Sequence, residues 1–207
     1  MIGIDPLQVK ANQRLVHTLI LASTSPYRRS LLERIAPPFE VMSPHVDEAH
    51  LPGETPRGRA ARLSLAKARA VAERHPKAIV IGSDQVAASE LRVLDRPGDE
   101  ATCRAQLTSL SGQTARFYTG CAVVGIAAGL SQEYLDVTTV VFRTLTEAEI
   151  NRYVARERPF DCAGGFKVEA LGITLFDRMD TSDPTALIGL PLIWLASALR
   201  KAGYLLP

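Results

Sequence analysis

The sequence predicts an α/β fold: a mixed, partly antiparallel sheet flanked by helices. Three observations carry this expectation. Short, continuous apolar runs at residues 19–23 and 78–82 read as strands buried on both faces. Ser25-Pro26 and Thr55-Pro56 each place a hydroxyl N-cap before a proline at the first helical position, so helices lie between those strands. Residues 116–126 and 134–143 are long, β-rich stretches joined by a glycine-containing turn. They form an antiparallel pair, which a simple doubly wound parallel sheet does not contain.

The elements follow in order. Residues 1–17 form an N-terminal extension, and residues 18–207 a single domain. After the first strand, a helix over residues 27–35 turns Leu31, Leu32 and Ile35 inward and ends at Pro37-Pro38. Residues 39–42 make a second strand. The long helix over residues 57–74 spaces Ala61, Leu65, Ala68 and Ala72 on one face. The strand at 78–82 runs directly into Ser83-Asp84-Gln85, and a hairpin follows at 89–92. Pro97-Gly98-Asp99 opens a helix to about Leu110, with Gly112 closing it. Thr146 and Glu149 form a capping box that starts a helix to about Arg156. Gly189-Leu190-Pro191 opens the last helix, residues 192–201, which ends by Gly203.

Composition narrows the function. The chain has 207 residues, long enough for a full core without disulfide or metal staples. It carries 24 Lys and Arg against 22 Asp and Glu, with no basic half or acidic tail. Bulk electrostatic binding to a nucleic acid polymer or to a membrane surface is therefore not expected. No run approaches the ~20 apolar residues of a membrane span. Cys103, Cys121 and Cys162 show no pairing or zinc spacing, so they read as free, buried thiols in a reducing, cytoplasmic setting. The four histidines show no metal or triad spacing, and no G-x-S-x-G elbow or Walker loop is present.

Several constellations have chemical potential. Ser23-Thr24-Ser25-Pro26-Tyr27-Arg28-Arg29 gathers hydroxyls, helix N-terminal N–H groups and two guanidinium forks at one strand-to-helix turn, a combination suited to phosphate. The bland alternative is a capped helix with solvated arginines. Asp84, directly after an apolar strand, stands where α/β sheets place ligands, and either serves a metal or water or stabilises a turn. Asp47-Glu48 is either a metal-facing pair or a solvated acidic loop. Lys67 either reaches a phosphate or snorkels to water. Arg96 beside Pro97 and Lys167 beside Gly164-Gly165 are loop cations with the same two readings.

Taken together, the motifs resemble those of the Maf family. They are Leu-Ala-Ser-Thr-Ser-Pro-Tyr-Arg-Arg (21–29), Val-Asp-Glu (46–48), Ile-Gly-Ser-Asp-Gln-Val (81–86) and Leu-Ser-Gly-Gln-Thr (110–114). Phe-Tyr-Thr-Gly (117–120), Cys-Ala-Gly-Gly-Phe-Lys-Val-Glu (162–169) and Gly-Leu-Pro-Leu (189–192) complete the set. The resemblance implies an elongated, inosine-triphosphatase-like sheet split into two lobes by a central cleft. It also implies a homodimeric nucleoside triphosphate pyrophosphatase that cleaves between the α and β phosphates with Mg²⁺ or Mn²⁺. By the same resemblance, Asp84 is the catalytic carboxylate. Ser23, Arg28, Arg29 and Lys67 contact phosphate, with Arg96 and Lys167 as further phosphate cations, and Asp47 and Glu48 lie near the metal.

Three family positions separate substrate classes, and here they are Tyr27, Gln85 and Glu169. The dTTP/UTP branch carries Arg, Thr and Gln there; the 7-methyl-GTP branch, which this sequence resembles, carries Trp, Gln and Glu. Physical chemistry favours the same choice. N7-methylation makes guanine cationic, and an aromatic ring at position 27 would gain about 0.5–2 kcal/mol by stacking on it. Glu169 would accept from the guanine N1–H and amino group. A dTTP/UTP or other modified-nucleotide pyrophosphatase, and a nucleotide-binding regulator of cell division without efficient catalysis, are the alternatives. Asp95-Arg96-Pro97 in place of Gly-Lys-Pro, and Ala66 in place of a polar residue, are departures from the family pattern.

Overall fold

The computed structural model describes residues 17–90 and 92–207. The N-terminal extension expected at residues 1–17 lies outside them except for His17, which is tied to the domain. Its Nδ1 meets the Lys77 carbonyl at 2.8 Å, and its carbonyl accepts the Tyr204 hydroxyl at 2.7 Å.

A seven-stranded mixed sheet organises the chain. Its strands are β1 (Leu19–Ala22), β2 (Glu40–Val41), β3 (Ile79–Ser89), β4 (Arg92–Leu94), β5 (Thr114–Gly125), β6 (Leu130–Phe142) and β7 (Phe176–Asp180). The order is β2-β1-β3-β5-β6-β7, with β4 paired to the far end of β3. β1 runs parallel to β2 and β3, while β3, β5, β6 and β7 pair antiparallel. The expected late antiparallel pair is present and spans twelve registered positions, from Thr114↔Val141 to Gly125↔Leu130.

Among the described residues five α-helices flank the sheet: α1 (Pro26–Leu32), α2 (Pro56–Arg74), α3 (Glu100–Leu110), α4 (Glu147–Glu157) and α5 (Leu192–Lys201). Their starts follow the local signals in the sequence. Ser25, Thr55 and Asp99 cap α1, α2 and α3 through their side chains. Thr146 and Glu149 make the reciprocal capping box of α4. α1 stops at Leu32, short of the expected Ile35, and turns carry the chain to Pro37.

Side chains alternate across the pleat, so the two sheet faces have different partners. Ile20, Ala22, Val80, Ala122 and Val124 pack on Ala68, Val71 and Ala72 of α2. On the opposite face, Leu19, Leu21, Ile79, Ile81, Cys121 and Val123 meet α1 and α5. Further along that face, Ala87, Ala115, Phe117, Val140 and Phe142 meet α3 and α4. These two clusters, at opposite ends of the long strands, are the cores of two lobes.

The inward stripe of α2 differs from the one expected. Ala61 and Leu65 are only half-buried, and the buried stripe is Ala60, Leu63, Ser64, Lys67, Ala68, Val71 and Ala72. The helix sits close because Gly82 and Gly120 leave room for its backbone. A Cβ on Gly82 would lie 2.3 Å from the Ser64 carbonyl oxygen, and one on Gly120 would lie 2.3 Å from that of Ala60. The thiols of Cys103 and Cys121 are buried and that of Cys162 is half-buried; all three are free. No helix among the described residues is long and apolar enough to cross a membrane.

Candidate active site

A cleft of about 800 Å³ runs between the lobes over the middle of β3. β3 does not stop at Gly82, where the apolar run ends. It continues to Ser89 because β5 stays registered with it throughout, while the parallel partner β1 ends at Ala22, opposite Gly82. Asp84 therefore lies in mid-strand, two residues beyond the end of β1. It is strand, not turn, and it lines the cleft.

Lys67 of α2 reaches the same point. Its Nζ donates to Asp84 Oδ1 at 2.6 Å and lies 2.8 Å from Glu48 Oε1. Lys67 is 5% and Asp84 7% exposed, whereas the Glu48 side chain is 53% exposed. Lys67 is thus a buried cation between two carboxylates, and it does not snorkel to water. The glycines under α2 make this reach possible, since Gly82 and Asp84 share one pleat face.

The acidic loop that presents Glu48 is held by arginines of α2. Arg59 Nη2 donates to the Glu48 carbonyl and Arg62 Nη2 to that of Ala49, each at 3.1 Å. Arg62 also grips Glu54 through Nε and Nη2, at 2.5 and 2.8 Å, and this bond chiefly pulls the Glu54 carboxyl down to about 2. Asp47 has a different position from Glu48. It is exposed, its Oδ1 accepts the Ala49 N–H at 2.8 Å, and it is not among the cleft-lining residues.

On the α1 side, Ser23 and Arg28 line the cleft. Ser23 Oγ accepts the Ser25 N–H at 3.2 Å, and Arg28 Nε donates to the Gly189 carbonyl at 3.2 Å. Burial lowers the Arg28 pKa from its usual 12.5, and the nearby Asp84 charge opposes that shift. Arg96 lines the cleft from the other lobe. Arg29 is not brought in: its side chain is 63% exposed and pairs with Glu33 at 2.9 Å.

A smaller pocket of about 50 Å³ adjoins the cleft, and Tyr27, Gln85, Cys162, Ala163 and Ile188 line both. It also contains Glu169 and Lys167, so the three residues picked out as substrate-discriminating meet in one place. Lys167 belongs to this pocket and not to the cleft lining. Its Nζ lies 6.0 Å from the Tyr27 ring centroid and 4.0 Å from Asp161 Oδ1.

Gln85 is oriented by its surroundings. Its Nε2 donates to Thr119 Oγ1 at 2.9 Å and to the Ala186 and Leu187 carbonyls, each at 3.0 Å. Two carbonyls can only accept, so they fix the amide nitrogen on that side and leave Oε1 as the acceptor. The chain at 181–191 is held along the same sheet face. Ser83 and Thr119 bond the Gly189 and Ala186 carbonyls. Buried Asp183 accepts from the Thr185 and Ile193 N–H groups, which ties this loop to the start of α5. Burial pushes the thiols of Cys121 and Cys162 up to about 12 and that of Cys103 to about 11, so none has the character of a nucleophile.

Three residues of this site escaped the sequence reading. Arg59 lines the cleft, and helical spacing from Lys67 through Leu63 leads to it. Asp161, beside Cys162, accepts the Tyr27 hydroxyl, a long-range contact without a local signal. Asp183 precedes Pro184 in what reads as an ordinary turn.

Comparison with known proteins agrees with this architecture. The Maf-like protein family matches residues 18–202. A 7-methyl-GTP pyrophosphatase of Polaromonas sp. is 53% identical over 185 residues, covering 89% of this chain and 84% of that relative. One of Aromatoleum aromaticum is 54% identical over 189 residues, covering 91% and 97%. Among solved structures, the Staphylococcus aureus Ham1 protein superposes with a TM-score of 0.50 at 13% identity, over 89% of this chain and 99% of that one, a likeness of fold. With most of its motifs contributing to the cleft and its side pocket and a family match over nearly the whole domain, the chain belongs to the Maf family.

Proposed function

We propose that the protein hydrolyses the α–β phosphoanhydride of a nucleoside triphosphate, 7-methyl-GTP, to 7-methyl-GMP and diphosphate. The observation that carries this function is the continuity of the two cavities. The cleft with the Lys67–Asp84 pair shares a wall with the pocket formed by Tyr27, Gln85 and Glu169. The names of the two relatives support the same substrate.

In this mechanism Arg28, Arg96 and Lys67 hold the triphosphate by charge-assisted hydrogen bonds, and Ser23 adds a hydroxyl. Asp84 accepts the proton of the attacking water. As the water oxygen bonds to phosphorus, the bridging P–O bond breaks and diphosphate leaves. Among the described residues no three Asp, Glu, His or Cys side chains converge as a metal cage. Lys67 Nζ meets one oxygen of each of Asp84 and Glu48, so these carboxylates would hold Mg²⁺ through their other oxygens, in the way usual at polyphosphates of one or two carboxylates plus substrate oxygens. A divalent cation bound there would neutralise charge on the triphosphate.

The base site favours a cation. Glu169 and Asp161 are two carboxylates around Tyr27, against the single ammonium of Lys167. A methylated, positively charged guanine compensates the remaining negative charge, and a neutral pyrimidine does not. Gln85 Oε1 and Glu169 are both acceptors, matching the N1–H and amino donors of guanine. The small pocket alone cannot hold a purine, so the base takes the wall that pocket and cleft share. A homodimer in the cytoplasm goes with this function, and sizing chromatography tests the dimer.

The decisive experiment is a panel of triphosphates with diphosphate detection and Mg²⁺ or Mn²⁺. The highest kcat/KM is expected for 7-methyl-GTP. Preference for dTTP overturns the substrate, and tight binding without diphosphate release across the panel overturns the reaction.

A further inference from the structure

Tyr27, the aromatic wall of the base pocket, does not stand alone. Its hydroxyl donates to Asp161 Oδ2 at 2.8 Å, and the Cys162 thiol donates to the Tyr27 hydroxyl oxygen at 3.8 Å. Burial, and then the bond to Asp161, raise the Tyr27 pKa above its usual 10, so the phenol keeps its proton and donates a hydrogen bond to the carboxylate. A charge-assisted bond of this kind is stronger than a neutral one and restrains the ring. It also pushes electron density from the carboxylate into the phenol, and cation–π attraction depends on the negative potential of the ring face. The structure already has a cation near that ring, since the Lys167 ammonium lies 6.0 Å from its centroid.

We propose that Asp161 is a specificity-determining positioning residue: through the Tyr27 hydroxyl it orients the ring and strengthens its attraction for a positively charged base. This rests on the proposed action on 7-methyl-GTP and adds the residue that separates the methylated, cationic base from neutral guanine. Asp161 itself touches neither phosphate nor water in the hydrolysis. Its effect belongs in the ratio of kcat/KM for 7-methyl-GTP to that for GTP, two substrates with identical triphosphates.

Two variants divide the pair. Asp161→Asn keeps an acceptor for the hydroxyl and removes the charge. Tyr27→Phe keeps the ring and removes the bond. The Asp161 side chain is 57% exposed, so its replacement does not threaten the fold, and a thermal melt verifies this. Each variant is expected to lower the ratio about two- to fivefold, the range of a cation–π increment at a partly exposed ring. The change should appear mainly in KM for 7-methyl-GTP. The double variant should fall no further than the larger single effect, because the two residues act as one unit. If the wild type prefers 7-methyl-GTP and Asp161→Asn leaves the ratio unchanged, this inference is overturned while the proposed function stands. If the wild type does not prefer 7-methyl-GTP to GTP, the substrate assignment falls and this inference falls with it.

Discussion

Replacing Lys67 by Met, and Asp84 by Asn, separates two roles that the buried pair combines. Lys67 Nζ lies 2.6 Å from Asp84 and 2.8 Å from Glu48, but only Glu48 is well exposed to water. Lys67→Met strands the Asp84 carboxylate in a nearly dry site. Removing one partner of a buried pair costs about 3–5 kcal/mol. Arg28, close enough for its charge to couple to Asp84, puts this case near the lower end, about 3 kcal/mol. Asp84→Asn is milder. The ammonium keeps Glu48, and the amide oxygen still accepts its proton, so the loss is the difference between a charged and a neutral hydrogen bond, about 1 kcal/mol. A gap of about 2 kcal/mol between the variants is therefore expected from urea denaturation at pH 7. Asp84→Asn should lose at least ~100-fold in diphosphate release if Asp84 is the general base. A destabilisation by Asp84→Asn equal to that of Lys67→Met would refute the compensating role of Glu48. Near-wild-type turnover in Asp84→Asn would refute its catalytic role.

Other expectations concern the supports of the site. Gly82→Ala sets a Cβ 2.3 Å from the Ser64 carbonyl oxygen and 2.5 Å from the Ala68 nitrogen. α2 must retreat, at a cost of about 1–3 kcal/mol or more. Turnover should fall as the Lys67–Asp84 distance opens, and a thermal melt read beside kcat checks both. Gln85→Leu removes the donor from the Ala186 and Leu187 carbonyls, costs about 1–3 kcal/mol by denaturation, and should raise KM more than it lowers kcat. Burial raises the Asp136 carboxyl pKa above 3.8, against its bonds from Thr138 and Tyr134. A raised folded-state value means ionisation opposes folding, a penalty that grows as pH rises from 3.8 through the folded-state pKa. Asp136→Asn should therefore melt at or above the wild type at pH 7, with the advantage shrinking toward pH 3.

Much of this organisation was legible because its signals are local. Ser25-Pro26, Thr55-Pro56, Asp99 and the Thr146–Glu149 box are side-chain devices within one turn, and all cap helices as read. Tyr27, Gln85 and Glu169, drawn from three separate motifs, line one small pocket. Three features were not legible. β7, Phe-Asp-Arg-Met-Asp at the sheet edge, is largely exposed and shows no buried alternation; only its pairing with β6 makes it a strand. The inward stripe of α2 includes Ser64 and Lys67, polar residues that break the apolar pattern and gain burial only from tertiary partners. The length of β3 is set by β5, whose registered partners lie far along the chain, from Val124 opposite Val80 to Ala115 opposite Ser89. Arg29 and Asp47 carry motif identity, yet pair with Glu33 and with the Ala49 backbone outside the cleft lining.

The pleat of β3 gives the site an unusual vulnerability. Gly82 and Asp84 face α2, while Ser83 and Gln85 face the 181–191 loop, so the residues proposed for hydrolysis and for base recognition alternate on one strand. Deleting or inserting a single residue before position 82 would exchange the two sets: the amide would turn toward Lys67 and the carboxylate toward the backbone carbonyls of the loop. In-frame indel scanning should therefore find β3 intolerant far beyond what its side chains alone would suggest.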